Sequence, residues 1–145
     1  NSTYLAYGTA GAAKQAEQKK QDKNAMGKSK TIAADRSISK ASAHYKNTEW
    51  DLVDAVISGI IDPGKMDKEQ LPAEMRNMNR KEREEYVKKM EKKREELKVR
   101  INKLNEERKA FLLKKQKENQ SELTLDSAII KSVREQAQKK KFEFK

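Results

Sequence analysis

A narrow apolar seam in the C-terminal half of this 145-residue chain constrains its fold more than any other feature. Val87, Met90, Leu97, Ile101, Leu104 and Phe111 recur on alternating steps of three and four, with Arg94, Arg108 and Lys115 at the intervening positions. That spacing predicts a heptad helix of roughly 28 residues or more, about 42 Å long. So thin a stripe leaves most of the helix circumference to charged groups and must be covered, either by another part of the chain or by another chain. These six apolar residues form the expected interaction seam.

Composition points the same way. Only 34% of residues are hydrophobic while 39% are charged, so long helices with thin apolar faces are expected rather than one large core. The net charge of +11 is unevenly spread. Residues 49–79 hold three basic and seven acidic groups, whereas 80–119 hold sixteen basic and nine acidic. The acidic block can therefore lie against the basic helix that follows it. There are no cysteines, which excludes disulfides and thiol catalysis. The apolar runs are too short to span a bilayer, and no signal peptide is visible. Beginning at Asn1 rather than Met, the chain reads as a fragment or mature form.

The predicted class is all-α, with two regions: an Ala/Lys/Gln-rich arm, 1–48, and a helical interaction region, 49–145. Ala10, Ala12, Ala13 and Ala16 favour a helix over about 9–27, with a break near Gly27 and a weakly ordered stretch beyond. A shorter helix is expected over 49–61, capped by Thr48 and ended by Gly59 and Asp62-Pro63-Gly64. Trp50 and Ile57 serve there as packing anchors. The long helix is expected over 80–118, with Asn79 and Glu82 forming a capping box. Asn119-Gln120-Ser121 reads as a loop. A second helix, 125–139, would then fold back as an antiparallel hairpin with Ile129 and Val133 as anchors, followed by an extended tail at Phe142-Glu143-Phe144.

Nothing in the chain forms a credible catalytic constellation, so it reads as non-enzymatic, with no cofactor and no metal. His44 is the lone histidine and has no cysteine or second histidine to complete a transition-metal site. Carboxylates on the long helix alternate with lysines and arginines, as on a solvated, ion-paired face. The partner expected from the seam is a protein or a second copy. The charge-based alternative is nucleic acid held at its phosphates by Lys88, Lys89, Lys92, Lys93 and Arg100. Against it, acidic groups are mixed throughout and aromatics are not interleaved.

Several segments carry a family resemblance. They are Asn1-Ser2-Thr3-Tyr4-Leu5-Ala6-Tyr7-Gly8, the stretch Tyr45-Lys46-Asn47-Thr48-Glu49-Trp50-Asp51-Leu52-Val53-Asp54-Ala55, and Leu71-Pro72-Ala73-Glu74-Met75-Arg76. Leu125-Asp126-Ser127-Ala128-Ile129-Ile130 and Val133-Arg134-Glu135-Gln136-Ala137 complete the set. In this order they resemble the region that follows the von Willebrand factor A (VWA) domain in a group of exported bacterial proteins. The resemblance implies a C-terminal helical region of a parent in the periplasm or at the cell surface, with the metal-binding A domain upstream. Asp35-Arg36-Ser37-Ile38-Ser39 fits the D-x-S-x-S metal motif of A domains. The preceding Lys28–Ala34 is no buried strand, so a polar loop is the reading there.

Overall fold

The computed structural model describes the backbone of residues 1–139, together with their side chains except at 121–126 and 138–139. The described chain is helical: α1 (Gly8–Lys28), α2 (Lys30–Ala41), α3 (Leu52–Ile57) and α4 (Arg80–Lys139), with three single 3-10 turns between α3 and α4. There is no strand among the described residues, only an isolated antiparallel bridge between Ala6 and Asp51. The all-α class and the long helix from residue 80 hold. The expected tail at Phe142–Phe144 lies outside the described residues.

Contacts divide the chain into two units, one of residues 1–103 and one from Leu104 onward. In the first, α1 follows the alanine-rich stretch and stops at Ser29. Where weak order was expected beyond the break, Ser29 instead caps α2, its hydroxyl accepting from the Ile32 amide at 3.1 Å. α1 and α2 pack through polar groups. Asp22 accepts from Arg36 and Lys40, and the Gln18 side chain bonds the Tyr45 hydroxyl beyond the end of α2.

The apolar core joins Leu5, Leu52, Val53, Leu71, Met75 and Val87, with Tyr7, Val56, Ile61, Met66, Met78, Tyr86 and Met90 packed around it. Each fully buried aliphatic side chain contributes about 1.5–3 kcal/mol. The core thus gathers the N-terminal segment, α3, the connector and the start of α4. Another buried side chain ties the connector down. Arg83 donates to the carbonyls of Met78 (3.0 Å), Met66 (3.0 Å) and Pro63 (3.4 Å).

Helix α3 is shorter than the expected 49–61. Residues 50–52 are drawn into extended pairing with the N-terminal segment: Tyr7 N–H donates to Trp50 O at 3.0 Å and Leu52 N–H to Leu5 O at 2.8 Å. The cap is therefore Asp51, accepting from the Asp54 amide, rather than Thr48. At the other end Gly59 takes φ +68, while its amide bonds Val56 O and that of Ile60 bonds Ala55 O. This is a Schellman closure, which satisfies two end carbonyls and needs a left-handed residue.

The Asn79–Glu82 capping box forms as expected, each side chain accepting from the other's amide, at 2.7 and 3.0 Å. The expected hairpin does not. α4 runs without a turn through Asn119-Gln120-Ser121 to Lys139. Those three residues lower helix propensity only by tenths of a kcal/mol each, and no Gly or Pro is present to break the backbone.

Replacing Gly59 by alanine should cost about 1–2 kcal/mol, because open space around the site does not relieve the left-handed backbone. Chemical denaturation should show it as a lower midpoint at unchanged slope.

Candidate functional site

The seam residues take two different environments. Val87 is buried and Met90 packs against the core. The next seam position holds Arg94, which is 8% exposed and forms a polar cluster rather than an apolar contact. Its Nη1 donates to Asp51 Oδ2 (2.6 Å) and Asp54 Oδ1 (2.7 Å). Its Nη2 donates to the Thr3 carbonyl (2.6 Å) and its Nε to the Thr3 hydroxyl (3.2 Å). The remaining carboxylate oxygens accept from the Leu5 amide (2.9 Å) and the Asn47 amide (2.7 Å). Tyr4 covers the guanidinium with its ring centroid 4.8 Å away and leans on Trp50 at 5.3 Å.

Local structure explains this convergence. Asp51 caps α3 and Asp54 lies in its first turn, so one short helix start presents both carboxylates. The bridge at Ala6 fixes Thr3 and Leu5 beside them. Burial raises the Asp51 carboxyl, opposed by the Arg94 hydrogen bond and charge. Burial also works against the Arg94 charge, but the hydrogen bond and field of Asp51, with Asp54 behind it, hold its protonation above the usual guanidinium value. Four of the five Arg94 N–H groups and all four oxygens of the Asp51 and Asp54 carboxylates are bonded to the protein's own groups. The cluster ties the N-terminal segment, the start of α3 and α4 together.

A second polar cluster links α1 to α2. Burial acts to raise the Asp22 carboxyl, yet hydrogen bonds from Lys40, Arg36 and the Asn1 side chain outweigh it and bring it down to about 2.

Beyond the cluster the seam opens to solvent. Leu97 is partly exposed at 38%, and Ile101 is half-buried. In the second unit Leu104 and Phe111 stand 53% and 60% exposed, with Leu112 and Leu113 also bare. Ile129, Ile130 and Val133 are each more than half exposed. Of the expected anchors, only Trp50 is buried. Ile57, at the end of α3, is half exposed, and Ile129 and Val133 have no returning helix to pack on because α4 does not turn.

The other candidates are placed as follows. Lys88, Lys89, Lys92, Lys93 and Arg100 are exposed on α4 among the equally exposed Glu91, Glu95 and Glu96. His44 is exposed. Asp35, Ser37 and Ser39 lie within α2 rather than on a loop, and Ser37 bonds the Ala33 carbonyl. Helical steps of two put Ser37 on the face opposite the other two, so the three cannot share one ion. Among the described residues no group of three or more His, Cys, Asp or Glu side chains is arranged to hold a metal, and no helix is long and apolar enough to cross a membrane. No family model, curated protein or solved structure matches this chain.

Two measurements check the clusters. Arg94→Ala leaves two buried carboxylates without a counter-charge and should cost about 3–5 kcal/mol. The exposed Arg100→Ala should stay within about 0.5 kcal/mol in the same urea titration. For Asp22 the folded value lies below the unfolded one, so its contribution is complete above about pH 4 and lost as pH falls through about 2. The melting-temperature gap between the native chain and Asp22→Asn should close over that window.

Proposed function

We propose that this chain is a non-enzymatic helical interaction or scaffold segment of an exported VWA-domain protein of the periplasm or cell surface. One observation carries the reading: the row of exposed apolar side chains on α4 from Leu104 through Phe111 and Leu112, and again at Ile129, Ile130 and Val133. Soluble chains scatter single apolar residues over their surfaces, but a row on one helix favours a covering partner. A self-contained polar cluster at Arg94 supports the non-enzymatic side of the reading. The exported parent rests on the sequence resemblance alone.

A second reading follows from the exposed Lys88, Lys89, Lys92, Lys93 and Arg100. These would hold nucleic-acid phosphates by charge. The glutamates among them weaken the field, which makes this the lesser reading. Its mark would be oligonucleotide binding that falls linearly in log–log form as salt rises.

The principal reading is checked with a photo-reactive phenylalanine at Phe111 and, in a parallel sample, at Lys92, in cells producing the native protein. A discrete protein adduct at 111 and none at 92 is the expected result. A site at 111 that stays unlinked under every growth condition would remove the reading, whereas an adduct to any protein, a second copy included, supports it.

A further inference from the structure

The first unit also holds a cavity of about 80 Å³, where the N-terminal segment and the end of α2 meet α4. Its polar side chains are mostly donors with capacity to spare. Arg94 commits four of its five N–H groups to the polar cluster. The Lys40 ammonium has three donors and reaches the Asn1 side chain and Asp22, both at 2.7 Å. Lys98 lines the cavity and makes no ion pair or hydrogen bond among the described residues. The Tyr4 hydroxyl has no partner among them either. Burial, with the Tyr45 hydroxyl next in weight, raises its pKa, so it keeps its proton and remains a donor. Against these donors the lining sets one carboxylate, Asp54, and each of its oxygens already accepts a bond.

We propose that this cavity binds a small monocarboxylate, its oxygens held by Lys98 and the Tyr4 hydroxyl and its short apolar tail laid on Leu97 and Ile101. Three properties select that ligand. A carboxylate only accepts, which is what a lining with surplus donors requires. The charge balance admits one negative group. Asp22, Asp51 and Asp54 are offset by Arg36, Lys40 and Arg94, which leaves Lys98 as the single surplus charge. Size sets the tail. The cavity has about half the volume of the roughly 150 Å³ cavity that holds a benzene ring, so a few carbons fit and a nucleotide does not. Ala41, Leu97 and Ile101 supply the apolar part of the lining. Leu97 and Ile101 are only partly covered, which leaves a way in from solvent. The site does not depend on what covers the bare row of α4.

The test titrates propionate into the full chain at constant ionic strength, with chloride as the replaced ion. Binding is followed by calorimetry and by the emission of Trp50, the lone tryptophan, whose ring lies 5.3 Å from that of Tyr4. A saturable response to propionate is expected, with none to chloride or to the uncharged isostere propionamide, and a weaker one to inorganic phosphate. Lys98→Gln should weaken propionate binding about tenfold or more, the loss of one hydrogen bond to a charged group. Its melting temperature should match that of the native chain, because Lys98 holds nothing else in place. Tyr4→Phe keeps the ring over Arg94 and should also weaken binding. No saturable response by either method would overturn the site, as would an equal response to propionamide or chloride. Phosphate bound as tightly as propionate would overturn the choice of a monocarboxylate. Native affinity in Lys98→Gln would overturn the placement.

Discussion

The first unit depends on one buried guanidinium. Arg94 reaches into a space enclosed by the N-terminal segment and the start of α3, and binds Thr3, Asp51 and Asp54 together. The apolar core beside it is modest, six buried residues drawn from four separate stretches of sequence. Hydrophobic burial is non-directional and would tolerate several ways of laying those stretches against α4. The arginine fork allows few, because its donors are fixed in one plane and four of the five are matched to groups on two other segments. Burial holds these segments together, and the ion pairs set how they are aligned.

This division of labour explains what could be read from the residues alone. The long helix, its capping box at Asn79 and the helical stretch near 9–27 rest on local signals, and those survive into the fold. The complementarity between an acidic 49–79 block and a basic helix was also visible as charge. So was the misfit of Arg94 in an apolar seam. Neither signal singled out Asp51 and Asp54 as its partners. Nothing local could say that Thr3 would join them, since that contact joins residues 91 positions apart.

The departures have physical causes. Helix α2 escapes a search for apolar periodicity because it is held to α1 by Asp22, Arg36 and Lys40 rather than by a greasy stripe. Helix α3 is cut short because main-chain pairing with residues 5–7 outcompetes one more helical turn. The hairpin failed on a question of necessity. Weak helix formers at 119–121 permit a turn but do not enforce one, and the backbone continues in the conformation that it already has. As a result Leu104, Phe111, Ile129 and Val133 remain exposed, and the surface proposed for interaction consists of residues that the expected hairpin would have covered.

Arg83 has a quieter consequence. It grips the connector through the main-chain oxygens of Pro63, Met66 and Met78. Carbonyl oxygens are common to every amino acid, so this grip is blind to which residues supply them. The connector's exposed side chains can therefore drift freely in evolution while its path stays fixed.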